Sequence, residues 1–544
     1  MPAQLLLDGL SFSSPTRPIL TDVTLAVGPT DRIGLVGENG SGKTTLLRMA
    51  AGQLSPSHGQ VIATRSGGGE VRIALLAQEV PFGAKDSVGA AIEASLAPLR
   101  RAEAELEEAA AAVAGAGGEE RYAAALAQAE QLRVWSIEHE VAELRAGFAL
   151  ADVALERPTS QLSGGQRARL ALICTLLSRP DVLLLDEPTN HIDDAGMDLL
   201  ARLVRRWHGP VVFASHDRAF LDAAATSIAD LSDSGVARYT GGYADLRAAK
   251  AAARARWEAQ YAAEQAELNR LRERVEASRT VGHPGARART EVRMAKKFYA
   301  DRNATVVSRR LTAARSALAN LEERQVRKPP QLLSFIGFSP ALGEASGALV
   351  SATRVTLPGR LCPTTIDIRS GDRWLVTGRN GSGKSTLLHI LAGHLTPAAG
   401  SVTRAPRVRV GPLTQEWPDY DPAITPRAAY AEYLGAAAAE ILPITTLGLI
   451  HPRDVDRPLG DLSVGVRRRV QLAMLLADPP DVLLLDEPTN HLSLDLVEEL
   501  EAALSDYPGA VVTASHDRWL RERFQGSTLT LPSCGVHPPV TSGP

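Results

Sequence analysis

The sequence predicts an α/β protein in which one parallel-sheet domain is built twice and the copies are joined by a long α-helical hairpin. Three observations carry this. A glycine-rich loop of the form G-x-x-x-x-G-K-[ST] occurs as GENGSGKT from Gly37 to Thr44 and as GRNGSGKS from Gly378 to Ser385. The twelve letters PDVLLLDEPTNH fill residues 180–191 and again residues 480–491. Between the copies, residues 244–328 repeat nothing and read as two helices around a loop.

The loops come first in each copy, after the apolar stretches RIGLVG and RWLVTG. In the first, Gly37, Glu38, Asn39, Gly40, Ser41 and Gly42 lead into Lys43, Thr44 and Thr45. In the second, Gly378, Arg379, Asn380, Gly381, Ser382 and Gly383 lead into Lys384, Ser385 and Thr386. The glycines let backbone N–H groups turn inward around phosphates. TTLLRMAAG and STLLHILAG follow and read as helices whose N-termini favour anions. Lys43 and Lys384 are placed to reach the β- and γ-phosphates, and Thr44 and Ser385 to ligate Mg²⁺. Arginine outnumbers lysine 52 to 7 in this chain, so lysine at both loop positions is informative.

The repeated twelve letters supply the second half of a phosphoryl-transfer site. VLLLD is an unbroken apolar run and reads as a buried parallel strand. Asp186 and Asp486 end it and can hold Mg²⁺ through water; Glu187 and Glu487 follow as bases for an attacking water. ASHD recurs at 214–217 and 514–517 after another apolar strand, so His216 and His516 can sense a γ-phosphate.

At QLSGGQRARL, residues 161–170, the chain resembles the ATP-binding cassette ATPases, whose signature is LSGGQ. The resemblance implies two P-loop ATP-binding cassette domains, with ATP and Mg²⁺ as ligands. Gln78 and Gln415 stand where that family's Q-loop glutamine contacts the metal. Ser163, Gly164, Gly165 and Gln166 would bind the ATP held by the opposite loop, because cassettes of this family pair head to tail. Here both cassettes lie in one chain, so the pairing is expected within a monomer. The second signature reads LSVGV: Ser463 and Gly465 are kept, while Val464 and Val466 replace a glycine and a glutamine. Phe12 is placed to stack on adenine in the first copy, residues 350–360 offer no aromatic counterpart, and Ser493 stands where the first copy has Asp193. Two unequal sites are expected, with the ATP at Lys384 turning over faster than that at Lys43.

Spacing locates what is not repeated. Lys43 to Lys384 is 341 residues and Asp186 to Asp486 is 300, so the first copy is 41 residues longer between loop and strand. Of these, 37 fall between Gln78 and Ser163, and 91–140 is the expected insertion, a helical hairpin broken near 115–118. It carries ten Glu and four Arg, which argues against gripping phosphates. The linker is opposite in sign: 20 basic and 10 acidic residues in 244–328 against a whole-chain charge of −3. One helix is expected to about Arg279, a loop with Gly282, Pro284 and Gly285 as breakers, and a return helix stopped by Pro329 and Pro330. Arms of about 35 residues reach about 50 Å. Nine basic residues crowd 279–310, and Arg287, Arg289, Arg293, Lys296, Lys297 and Arg302 are candidates for RNA contact. The expected boundaries are 1–240, 241–330 and 331–530, with a disordered tail at 531–544. No apolar run is long enough to span a bilayer, and the N-terminus lacks the pattern of a signal peptide, so a cytoplasmic location without membrane insertion is expected.

Two cassettes, an insertion in the first, a charged hairpin between them and DEPTNH twice resemble the ABC-F family of translation factors. The resemblance implies a ribosome partner, with the linker tip directed at ribosomal RNA and the P-site tRNA. The long linker, arginine-rich composition and unusual second signature further resemble members that confer resistance to macrolide, lincosamide or streptogramin antibiotics. The alternatives are the ATPase subunit of a transporter or drug exporter with a separate membrane partner, and a non-catalytic RNA-binding scaffold.

Overall fold

The computed structural model describes residues 3–280, 309–329 and 347–532, apart from 15–16, 38–39, 78–81, 84–85, 115–116, 191, 233–234, 310–311, 314, 379–380, 414–419, 489–493 and 516. It is a mixed α/β structure in which one layered arrangement recurs. In the first copy the strands are β1 (Ala3–Ser14), β2 (Arg17–Val27), β3 (Arg32–Gly37), β4 (His58–Arg65), β5 (Ile73–Leu76), β6 (Val182–Asp186), β7 (Val211–Ala214), β8 (Ser227–Ser232) and β9 (Gly235–Thr240). They form an antiparallel sheet ordered β2-β1-β4 and a larger sheet ordered β5-β6-β7-β3-β8-β9, parallel except for the β8–β9 pair. The second copy has β10 (Ala348–Leu357), β11 (Leu361–Arg369), β12 (Arg373–Thr377), β13 (Ala399–Arg404), β14 (Val410–Leu413), β15 (Val482–Asp486), β16 (Ala510–Ala514) and β17 (Ser527–Thr530). Its sheets are ordered β11-β10-β13 and β14-β15-β16-β12-β17, the same sequence of strands without a counterpart of β9 among the described residues.

The unbroken apolar run VLLLD is explained by cover on both faces. Along β6 successive side chains point to opposite faces. Leu183 and Leu185 pack with the helices Gly164–Leu177 and Asp194–Arg206. Val182 and Leu184 pack with β1, β2 and the helix Lys43–Ala50. β15 divides identically: Leu483 and Leu485 to one cluster, Val482 and Leu484 to the other. A polar residue anywhere in the run would be buried without water, which is why the alternation typical of a half-exposed strand is missing.

The extra length of the first copy is added to an existing helix. Ser87 caps Val88–Ala111 and Thr425 caps Pro426–Leu434, each side chain accepting from the backbone three residues on, Ala90 N at 3.1 Å and Ala428 N at 3.3 Å. Ile92, Leu96, Leu99 and Ala102 of the longer helix are buried in the central core, and Ala129 of the helix Gly118–Leu132 joins the same cluster. Arg100 ties this region together, bonding Glu93, Glu103 and Glu138.

By packing, the chain divides into two units: Met1–Leu246 with Leu332–Pro544, and Arg247–Gln331. In the second unit the helix Tyr243–Thr280, about 57 Å long at 1.5 Å per residue, faces a returning helical stretch that ends at Arg324. Arg272 pairs with Glu322 at 2.9 Å, Glu264 accepts from Val326 N at 2.8 Å, and Trp257 Nε1 donates to Arg327 O at 2.9 Å. Those pairs run in opposite directions along the two strands of the hairpin, so it is antiparallel. Its return helix ends five residues before Pro329, earlier than the prolines require, because Val326 N–H and Arg327 C=O bond across to the first helix. The expected RNA contacts at Arg287, Arg289, Arg293, Lys296, Lys297 and Arg302 lie outside the described residues.

Within the first unit the copies meet directly. Leu494 and Trp519 of the second copy join the buried cluster of the first. Trp519 packs edge-on against Tyr243 with centroids 5.2 Å apart, and Tyr243 donates to Glu498. Arg521 bonds Asp194 at 2.8 Å.

Candidate active site

Parallel strands carry their loops to one edge. Asp186 is level with Ala214 across β6–β7, and Asp486 with Ala514 across β15–β16. β3, beside β7, ends at Gly37. The phosphate loop, the acidic pair and the histidine loop therefore lie together at the carboxyl end of the sheet, where open α/β sheets bind ligands.

The two phosphate loops have nearly the same backbone. Gly37, Gly40 and Gly42 have φ of 147°, 83° and 98°; Gly378, Gly381 and Gly383 have 149°, 82° and 97°. Side chains are excluded twice over at the last of these. A Cβ on Gly42 would sit 2.7 Å from Leu20, and one on Gly383 would sit 2.3 Å from the Arg360 carbonyl. Lys43 Nζ donates to Gly37 O and Lys384 Nζ to Gly378 O, both at 2.9 Å, bridging each loop across its mouth. The hydroxyls of Ser41 and Ser382 are buried and make no hydrogen bond among the described residues, as suits groups waiting for phosphate oxygens. Thr45 and Thr386 continue the helix starts.

Behind each loop stands a buried carboxylate. Burial pushes Asp186 above the usual carboxylate range, opposed by a hydrogen bond from Thr44 and by the Lys43 charge. Asp486 is raised by the same cause and opposed by Ser385. Its Oδ1 is buried with no hydrogen-bond partner among the described residues.

The glutamates are held in an unusual backbone state. Glu187 and Glu487 have φ of 49° and 47°, the left-handed region, and their N–H groups bond Ala214 O at 2.9 Å and Ala514 O at 2.8 Å. For a non-glycine residue that conformation costs on the order of 1 kcal/mol or more, and strain of this kind collects at functional sites. Burial pushes the Glu187 carboxyl up to about 7, with Lys43 pulling against it. His216 Nε2 lies 3.4 Å from Glu187 Oε1. In the second copy Glu487 lines a cleft of about 370 Å³ with Arg360, Gly381, Gly383, Lys384, Ser385 and Thr386. No residue of the 163–166 signature lines that cleft.

The signatures differ in their helix starts. Ser163 caps Gly164–Leu177 through a reciprocal pair: its hydroxyl accepts from Gln166 N at 3.2 Å, and the Gln166 side chain accepts from Ser163 N at 3.0 Å. Gly165 lies in that first turn. Ser463 accepts from Val466 N at 3.4 Å, and Val466 has no acceptor to return the bond. Gly465 lies in its first turn. Phe12 pairs with Leu20 on β1–β2 and is half-buried against the apolar cluster below. Glu38, Asn39, Gln78, Arg379, Asn380, Gln415, Ser493 and His516 lie outside the described residues.

Sequence reading missed two arginines. Arg468 is 2% exposed and its guanidinium donates to the backbone carbonyls of Asp486 and Glu487; Ala168 stands at the matching place in the first copy. Arg218 is buried where the copies meet and bonds Glu501 and Asp517. No local signal in the sequence marks either one.

The fold and site define an ATP-binding cassette ATPase: a family model described as ABC transporter matches residues 20–190 and 361–490. The tylosin resistance ATP-binding protein TlrC of Streptomyces fradiae is 38% identical, over 97% of this chain and 97% of that protein. The energy-dependent translational throttle protein EttA of Haemophilus influenzae is 32% identical over 94% of this chain and 88% of its own length. The probable ATP-binding protein YheS of Escherichia coli K12 is 29% identical over 94% and 76%. Among solved structures, the archaeal ribosome recycling factor aABCE1 in complex with stalk protein aP1 shares the fold, with a TM-score of 0.53 and 19% identity over 94% of this chain and 84% of that one. The chain belongs to the ABC-F family. No helix among the described residues is long and apolar enough to cross a membrane.

Proposed function

We propose that this ATPase acts on the ribosome and protects it from macrolide, lincosamide or streptogramin antibiotics, in the cytoplasm and as a monomer. The observation that carries the reading is likeness along nearly the entire chain, basic linker included, to a tylosin resistance protein and to a translational throttle protein. The net charge of the linker suits RNA phosphates, and its hairpin is a stiff lever.

In this reading the loops 37–45 and 378–386 hold the two triphosphates, and the opposite signatures, Ser163–Gln166 and Ser463 with Gly465, close over them. Mg²⁺ fits both sites: Thr44 or Ser385 offers a hydroxyl, Asp186 or Asp486 a buried carboxylate, and Asp486 Oδ1 has no other partner among the described residues. Gln78 and Gln415 complete the sets. Bound there, the ion neutralises charge on the β- and γ-phosphates. Glu187 and Glu487 take the proton from the attacking water, while His216 and His516 orient the γ-phosphate side. Burial keeps Glu187 basic enough for this near neutral pH.

The test uses Glu187→Gln with Glu487→Gln, which should trap ATP and leave the chain on ribosomes after sedimentation at moderate salt. Expression of the parent in a sensitive host should raise the inhibitory concentration of tylosin or of a representative lincosamide or streptogramin. Unchanged concentrations for all three classes would remove the resistance reading. ATP-dependent sedimentation with membranes instead of ribosomes would favour a transporter subunit.

A further inference from the structure

The cassettes are related by a shift of 300 residues through this region, since Asp186 matches Asp486 and Ser215–Asp217 matches Ser515–Asp517. Contacts between them should then come in matched pairs. They do not. Arg218 of the first cassette, 1% exposed, bonds Glu501 with both arms of its guanidinium, at 2.8 and 2.6 Å, and Asp517 Oδ2 at 2.7 Å. Its counterpart Arg518 also crosses, to Asp198 of the first cassette at 2.6 Å, but it is 38% exposed, shares its guanidinium with Glu522 of its own helix and bonds no residue matching Glu501 or Asp517. The match of Glu501 in the first cassette is Ala201, which offers no acceptor.

Asp517 is a busy residue. Its Oδ1 caps the helix Arg518–Arg523 by accepting from Leu520 N at 3.1 Å, and its own N–H donates to Ser515 Oγ at 3.0 Å. Ser515 and Asp517 flank the histidine of the second site. Arg218 itself lies two residues beyond His216, the histidine of the first. A buried guanidinium thus ties Asp517, beside the second histidine, to the helix that follows the first histidine, while the matching Arg518 reaches Asp198 instead.

We propose that Arg218 is a positioning residue for ATP hydrolysis at the Lys384 site: it anchors Asp517, and with it the loop carrying His516, to the first cassette. This goes beyond the ribosomal reading and rests only on the assignment of the histidine loops to the two sites. A buried, forked carboxylate pair suits such a role because its geometry is specific and its loss leaves charges stranded. The direction of the link also matches the signatures. By head-to-tail pairing the Lys384 site is the one faced by the complete 162–166 signature, so the better-built site is the one whose histidine loop is anchored.

The test is steady-state ATPase kinetics of the full chain without ribosomes. Arg218→Gln should lower kcat about tenfold while KM for ATP moves less than about threefold, as expected for lost positioning rather than lost binding. Glu501→Ala, which copies the residue found at position 201, should act in the same direction and serves if the buried variant does not fold. Arg218→Lys keeps the charge and should recover part of kcat, which a purely structural residue would not require. Arg518→Gln should stay within about twofold of the parent. The proposal is overturned if Arg218→Gln and Glu501→Ala both keep kcat within about twofold, or if Arg518→Gln loses as much as they do. A parent without ATPase activity would instead refute the site assignment.

Discussion

At the residue scale the two active sites are alike in their loops and unlike in what supports them. Arg468 braces the carbonyls of Asp486 and Glu487, at a position where the first copy has Ala168. In the proposed head-to-tail arrangement the complete signature closes on Lys384, and that site should carry most of the turnover. Glu487→Gln should therefore cut steady-state hydrolysis by a factor on the order of 100, and Glu187→Gln by clearly less. Equal losses would mean equal sites. Glu187 also makes a stability prediction. Its carboxyl is raised to about 7 by burial. The folded chain then holds a proton that the unfolded chain releases at lower pH, so stability contributed here falls as pH rises from about 4.5 to about 7. Glu187→Gln removes the burdened charge. It should melt higher than the parent at pH 8, by an amount on the order of 2 kcal/mol, and the difference should shrink towards pH 5. A melting difference independent of pH would contradict this. Lys43, Lys384 and both glutamates were legible from motif spacing alone. Arg218 and Arg468 were not, because in an arginine-rich chain nothing local distinguishes a buried guanidinium from a solvated one.

At the element scale, helix starts and helix ends carry the differences between the copies. Ser163 and Gln166 satisfy each other's backbone donors, and Ser463 with Val466 does half of that. Val466→Gln should complete the pair and stabilise the second helix start by about 0.5–1 kcal/mol, read as a rise in denaturation midpoint. If the midpoint does not move, the missing bond is met in some other way. Sequence composition marked 91–140 as helical but could not tell where the added segment begins. Leu96 and Leu99 look the same as surface leucines in a run of Ala, Leu and Glu; only their burial against the Gly164–Leu177 helix separates core from extension. The return helix of the linker shows the same limit. Prolines at 329 and 330 suggested the stop, but cross-hairpin bonds from Val326 and Arg327 end it at Arg324.

At the scale of the whole molecule, the segregation of charge matters. The linker is strongly basic in a chain that is slightly acidic overall. Deleting residues 281–308 should therefore leave ATPase kinetics within about twofold and abolish ATP-dependent ribosome sedimentation, with the parent's binding falling steeply as salt is raised. Retained sedimentation after the deletion would place the contact elsewhere.

The buried parallel strands, the two phosphate loops, their acidic partners and the existence of a charged hairpin were all determined by the sequence itself. The reason is that each depends on local rules: glycine where a side chain cannot fit, unbroken apolar runs for strands covered on both faces, and helix formers between breakers. Tertiary structure alone decided which face of β6 packs where, which arginines are buried, and that Arg218 meets Glu501 and Asp517 of the other cassette. Those facts depend on residues some 300 positions apart meeting in space, and no local pattern encodes which of two equivalent arginines will find its partners.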